Sequence, residues 1–243
     1  MTKQNMLLGV LGGLGPMSTV YFCELLNRHT KAERDADHID MLISSRATTP
    51  DRTAFILGKS DADPLPVMLE DARRLESSGV DLIVIPCNTA HYFYDGLALA
   101  CRVPILNIIR ETVAYLKKIG VSAFGLLATE GTVQSNAYRR VCEENGIACI
   151  TPTEDEQAVI SSIIYDAIKQ NKPVDEAAFL NVADALSARG CEKLVLGCTE
   201  LSLLKKQGLC DARFIDSLDI LAYRTILACK KTPVGFDFDE VTA

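Results

Sequence analysis

Leu82-Ile83-Val84-Ile85-Pro86-Cys87-Asn88-Thr89 is a short apolar run that ends on a proline and opens at once into a thiol, an amide and a hydroxyl. Leu194-Val195-Leu196-Gly197-Cys198-Thr199 repeats the pattern in the second half of the chain. Apolar runs of this length, bounded by Gly or Pro, read as strands covered on both faces. Strand-like runs occur at 6–11, 38–45, 80–86, 103–108, 122–128, 147–151, 192–197 and 212–216. Amphipathic segments lie between them. Leu65, Leu69, Ala72 and Leu75 mark one helical face, Glu70 and Arg74 pair at i,i+4, and Gly79 ends that helix. Val159, Ile160, Ile163, Ile164 and Ala167 mark another. Alternation of this kind predicts a parallel α/β fold.

The two halves read alike. Leu8-Gly9-Val10-Leu11-Gly12-Gly13 corresponds to Phe124-Gly125-Leu126-Leu127-Ala128-Thr129, and each half closes on a third strand that runs into Cys-Asn-Thr or Cys-Thr. The expectation is two pseudo-symmetric lobes, each a mainly parallel four-stranded sheet flanked by helices, with the active site in the cleft between them. Lobe one covers 1–112 and takes back a C-terminal helix at about 217–231; lobe two covers 113–216, and 232–243 reads as a loose acidic tail.

Composition bounds the function. The chain has 243 residues, 48% of them apolar, which is enough for a real core. With 25 basic against 32 acidic residues and a net charge of −7, it is a poor partner for nucleic acid or an anionic membrane. No apolar run approaches the roughly 18–20 residues of a membrane helix, and no segment reads as a signal peptide, so a cytoplasmic protein is expected. The nine cysteines do not suggest a disulfide framework, being odd in number in a long chain without an export signal. No pair has C-x-x-C spacing and only three histidines are present, so no metal site is expected.

In open parallel sheets ligands bind beyond the carboxyl ends of the strands, where Cys87 and Cys198 both fall. Backbone N–H groups opening a helix there favour anions, which would lower a thiol's pKa and grip a carboxylate. A cysteine taken singly is more often structural. For these two, strand-end position, polar flanks and internal repetition reverse the odds, because a two-fold relation places them face to face across the cleft. Cys23, Cys101, Cys142, Cys149, Cys191, Cys210 and Cys229 lack that context and read as core or surface thiols. Gly12-Gly13-Leu14-Gly15-Pro16 has neither G-x-G-x-x-G spacing nor a P-loop, which disfavours phosphate; Thr129, Gly131 and Thr132 occupy the equivalent loop of the second half.

Five motifs together carry a resemblance. Gly12-Gly13-Leu14-Gly15-Pro16, Pro50-Asp51-Arg52-Thr53, the stretch from Pro86 to His91, the stretch from Thr151 to Gln157, and Gly197-Cys198-Thr199-Glu200 resemble the aspartate racemase branch of the aspartate/glutamate racemase family, to roughly residue 228. The resemblance implies a two-lobed fold, often a homodimer, working without pyridoxal phosphate, metal or other cofactor on a small-molecule amino-acid substrate. Glutamate racemases usually carry Asp-Ser-Gly near the first strand; Gly12-Gly13-Leu14 stands there in this chain and favours the aspartate-like branch.

Racemisation removes an α-proton and returns one to the opposite face, so Cys87 and Cys198 are expected to act as an opposed acid/base pair. Asn88, Thr89, Ala90 and Thr199, with the backbone N–H groups after each cysteine, are assigned to the substrate's α-carboxylate and amino group. Arg52 matches the family's substrate-binding arginine, whose fork holds a side-chain carboxylate, against the alternative of a salt bridge to Asp51. Lys169 aligns with a lysine this branch uses for the substrate. His91 divides evenly between tuning Cys87 and packing; Glu200 divides between serving the substrate or proton transfer and simply favouring a helix N-terminus. The rival readings are a racemase for another amino acid, glutamate included; a related cysteine-dependent isomerase or decarboxylase; a non-catalytic dicarboxylate-binding protein; and a cysteine hydrolase using one of His29, His38 and His91.

Overall fold

The computed structural model describes residues 5–236. Among these, eight strands form two sheets: β1 (Leu7–Gly12), β2 (Asp40–Ser45), β3 (Leu82–Val84) and β4 (Ile105–Leu106) in one, β5 (Ala123–Leu127), β6 (Ala148–Ile150), β7 (Lys193–Leu196) and β8 (Phe214–Asp216) in the other. The strand orders are β2-β1-β3-β4 and β6-β5-β7-β8, with every pairing parallel. Each sheet is flanked by helices and winds identically, so the expected pair of pseudo-symmetric α/β lobes is borne out.

That winding positions the site. In each lobe the chain passes from the first strand outward to the second, then returns to the other side of the first for the third. The order reverses between β1 and β3 and again between β5 and β7, and such switch points open a crevice at the strand ends. Cys87 follows β3 and Cys198 follows β7.

The strands stop earlier than their apolar runs suggest. The run 80–86 yields only Leu82–Val84, because the Cys87 N–H donates to the Ile85 carbonyl at 2.8 Å and turns the chain out of the ladder. The Gly197 N–H beyond β7 is shared between the Leu127 carbonyl of β5 at 2.8 Å and the Val195 carbonyl at 3.0 Å, which closes a similar turn. These tight turns aim both cysteines into the cleft instead of onto a sheet face.

The helix Leu65–Ser77 forms as its periodicity predicts, with Glu70 paired to Arg74 and Gly79 adopting φ 81° just past the end. The helix Ser217–Ala228 lies against both Pro16–His29 and Ile108–Lys118. One apolar cluster joins Leu8, Val10 and Phe22 of the first lobe to Phe124, Leu126 and Tyr138 of the second, through Leu218 and Leu221 of that helix. The lobes therefore share a core, with separate clusters around Phe179 and around Ile83 on their outer sides. Residues 232–236 depart from a loose tail. Lys31 donates to the Thr232 carbonyl and Val234 to that of His29, both at 2.8 Å, and Phe236 stacks on the His29 ring. The remainder of the expected tail, 237–243, lies outside the described residues.

Candidate active site

The cleft between the two switch points is narrow, with a cavity of about 10 Å³, and brings together Arg52, Cys87, Asn88, Thr89, Lys169, Cys198, Thr199 and Glu200. Leu14, Asp51, Thr53, Thr129 and Tyr165 complete the wall. Of the site candidates read from sequence only Ala90 stands back. Its methyl is buried in the lobe-one core, but its backbone N–H faces the Cys87 sulfur. The N–H of Glu200 serves Cys198 in the same way.

The two thiols differ in surroundings. Both are buried, at 5% exposure for Cys87 and 4% for Cys198. Burial pushes the Cys87 thiol up, and the cations of Arg52 and Lys169 pull against it. Burial also raises Cys198, and the Glu200 carboxylate drives it well above the usual thiol range, with the Cys198 S–H donating to Glu200 Oε2 at 3.0 Å. The expectation that helix N-termini would lower these thiols is corrected. Each cysteine leads only into a short turn, Thr89–Phe93 or Ser202–Lys206, and desolvation outweighs so small a dipole.

Arg52 opens the helix Arg52–Ile56 and is 8% exposed. Its Nη1 donates to the carbonyls of Thr49 and Pro50 at 3.3 and 3.0 Å, and its Nη2 to that of Leu14 at 3.0 Å. Asp51 does not pair with it; that carboxylate caps the helix through the Ala54 N–H at 2.7 Å. The guanidinium is thus fixed by neutral acceptors, and among the described residues it has no ion-pair partner and its Nε is buried without a hydrogen-bond partner.

Lys169 comes from a distorted stretch. The helix Glu154–Ser162 loosens into a π turn, Ile163–Ala167, and tightens into a 3-10 turn, Ile168–Gln170. Such irregularities recur at functional sites because they re-aim side chains. Here Lys169 Nζ lies 4.4 Å over the Tyr165 ring and 3.7 Å from Glu200 Oε1. Burial, which disfavours the lysine's charge, is outweighed by Glu200 and the neighbouring thiols, so Lys169 is held above its usual range and stays cationic. Tyr165 escapes sequence reasoning, although its i,i+4 spacing to Lys169 is a usable signal.

Several side chains just past the cysteines bridge the lobes. Thr89 Oγ1 lies 3.0 Å from Thr129 Oγ1 and 2.8 Å from Thr132 Oγ1, a buried cluster of three hydroxyls. Thr199 Oγ1 donates to the Pro86 carbonyl at 3.3 Å. His91 faces away from the thiol. Its Nε2 accepts from the Ile108 N–H at 3.2 Å, which leaves Nδ1 to donate to the Cys87 carbonyl at 2.8 Å. Burial lowers it to about 4, so it is a neutral staple and its packing alternative prevails. Gly13 takes φ 82° and sits where a Cβ would lie 2.4 Å from the Arg46 nitrogen, so only glycine fits this turn.

Among the described residues no group of three or more His, Cys, Asp or Glu side chains is placed to hold a metal ion, and no helix is long and apolar enough to cross a membrane.

Comparison with known proteins agrees with this architecture. Residues 11–225 match the model of the Asp/Glu/hydantoin racemase family. The chain is 31% identical over 229 residues to the broad specificity amino-acid racemase RacX of Bacillus subtilis, covering 90% of this chain and 96% of that one. It is 31% identical over 166 residues to the glutamate racemase of Aquifex pyrophilus, covering 63% and 61%. The structure of Picrophilus torridus aspartate racemase superposes with a TM-score of 0.81 at 29% identity, covering 94% of this chain and 96% of that one. The resemblance carried by the five motifs is therefore borne out, and the chain belongs to the Asp/Glu/hydantoin racemase family of isomerases.

Proposed function

We propose that this racemase interconverts L- and D-aspartate, with Cys87 and Cys198 exchanging the α-proton from opposite faces. The observation that carries the reading is the convergence of two buried thiols, one from each pseudo-equivalent strand end, on a cavity that also holds Arg52 and Lys169. Two cations beside the thiols suit a substrate with a side-chain carboxylate as well as the α-carboxylate, and Arg52 Nε is a buried donor with no partner among the described residues. Burial raises both thiols and Glu200 raises Cys198 further, while Arg52 and Lys169 pull against the rise at Cys87, so Cys87 is the more easily ionised of the two and the reactive state is a Cys87 thiolate with a Cys198 thiol.

From that state Cys87 takes the α-proton, the electron pair passes toward the α-carboxylate, and the Cys198 S–H delivers its proton to the other face. The product leaves with Cys87 protonated and Cys198 ionised, ready for the opposite enantiomer. Charge building on the α-carboxylate is met by backbone N–H groups and the Asn88 amide in a site from which water is largely excluded.

A broader amino-acid range is the second reading. The cleft runs into an outer chamber of about 370 Å³ that shares Asp51, Arg52, Lys169 and Glu200 with it, which leaves room for longer side chains. The homodimer implied by the resemblance and the cytoplasmic location expected from the sequence belong to the same proposal. Incubation with single enantiomers of aspartate, glutamate and a panel of neutral amino acids in heavy water tests it. Inversion with uptake of deuterium at the α-carbon is expected for aspartate; inversion of other amino acids without aspartate would establish the second reading, and no exchange with any of them would exclude a racemase.

A further inference from the structure

Asn88 is 2% exposed, lines the cleft beside Cys87, and is gripped by two residues of the second half of the chain. Ser217 Oγ lies 2.9 Å from Asn88 Nδ2 and the Tyr138 hydroxyl 2.8 Å from Asn88 Oδ1. The orientation of that amide follows from proton counting. A serine hydroxyl carries one proton, and Ser217 Oγ is 2.7 Å from the Leu196 carbonyl, which can only accept. Ser217 therefore spends its proton on Leu196 and meets Asn88 as an acceptor, so the amide atom facing it is the nitrogen. Oδ1 then faces Tyr138, whose phenol donates and is kept protonated by burial. The amide carbonyl is turned toward Tyr138, and the second N–H of Nδ2 has no partner among the described residues.

We propose that Ser217 and Tyr138 are positioning residues of the racemase reaction: they lock Asn88 as a donor, so that it binds the substrate's α-carboxylate and not its ammonium. The inference rests on the racemase reading. Ser217 is 0% and Tyr138 1% exposed, and neither lines the cleft, so both act through Asn88. The linkage spans the two thiols, since Leu196 ends the strand that leads to Cys198 and Asn88 follows Cys87. An amide free to flip would present its carbonyl to the carboxylate half of the time, replacing attraction with repulsion where negative charge develops.

Kinetics of racemisation for Ser217→Ala, Tyr138→Phe and Asn88→Ala, and for each of the first two combined with Asn88→Ala, test this, with thermal melting to verify folding. A hydrogen bond to a charged group that strengthens in the transition state predicts a fall of roughly tenfold to a hundredfold in kcat/KM for each single variant, mostly in kcat. The doubles are expected to be no worse than Asn88→Ala alone, because the effect passes through that amide. Asn88→Asp, close to isosteric, places an acceptor against the Ser217 lone pairs and is expected to be as impaired as Asn88→Ala; it carries the test if Tyr138→Phe fails to fold. Wild-type kcat/KM in Ser217→Ala, or losses that add fully to that of Asn88→Ala, would overturn the positioning role while leaving the racemase reading in place. A wild-type protein without α-proton exchange on any amino acid would overturn both.

Discussion

Gly15→Ala tests whether the Glu200 carboxylate must stay where it is. Gly15 has φ −131° and ψ 124°, extended values that alanine adopts without strain, so any effect is steric. An added Cβ would sit 2.5 Å from Glu200 Oε1 and 3.3 Å from Ser18 Oγ. Ordinary contact begins at 3.4 Å, so the carboxylate oxygen must retreat by about 0.9 Å. It has little room to do so: Glu200 is 6% exposed, its Oε2 accepts the Cys198 S–H at 3.0 Å, and its Oε1 faces Lys169 at 3.7 Å. A misplacement near 1 Å in a catalytic constellation costs on the order of a hundredfold. Overpacking of this size costs about 1–3 kcal/mol, within what a domain of this size withstands, so the variant stays folded. The expected result is a fall of about a hundredfold in kcat/KM for aspartate, measured by optical rotation beside urea unfolding. The fall is equal for the two enantiomers, because an equilibrium constant of one forces equal kcat/KM in both directions. A folded Gly15→Ala protein with wild-type kcat/KM would refute the importance of the Glu200 position. Adding Gly15→Ala to Glu200→Ala should change little further.

Two other outcomes concern buried polar groups. Thr89→Val removes one hydroxyl from the cluster with Thr129 and Thr132 and is expected to lower unfolding free energy by about 1–2 kcal/mol in urea titrations; an unchanged midpoint would show that the cluster does not hold the lobes. His91 titrates at about 4 in the fold against roughly 6.5 when unfolded, so the unfolded chain takes up its proton first. Its contribution is full above pH 6.5 and is lost as pH falls toward 4, by about 3 kcal/mol in all. His91→Gln should flatten the stability profile over that interval, and an unaltered slope would mean that His91 is not the group responsible.

The fold is legible in the sequence because both sheets are built from short apolar runs whose periodicity and internal repeat require no tertiary information. Cys87 and Cys198 are legible for the same reason: each closes an apolar run just past a strand at a switch point. Arg52 and Lys169 are legible only through the family motifs, since nothing local distinguishes a charged residue turned into a cleft from one turned to solvent. The direction of the thiol shifts is not legible, because it depends on burial and on a carboxylate that folds over Cys198. Ser217 and Tyr138 are invisible to local reading; they reach Asn88 across 129 and 50 residues of chain, and a buried serine or tyrosine carries no signature of its partner. The strand ends fall short of their apolar runs because Ile85–Cys87 closes a tight turn, and Val195–Gly197 closes another while Gly197 keeps one last bond to the Leu127 carbonyl.

The opposed thiol pair is tested most directly by α-proton exchange in heavy water with Cys87→Ala and Cys198→Ala, each supplied separately with L- and D-aspartate. Loss of one acid/base group predicts that inversion falls by about 10²–10⁴-fold in both variants. The remaining thiol still reaches one face of the substrate, so each variant is expected to retain exchange without inversion for one enantiomer only, and the two variants for opposite enantiomers. Inversion at the wild-type rate in either variant, or exchange of the same enantiomer by both, would contradict a mechanism in which Cys87 and Cys198 stand on opposite sides of the α-carbon.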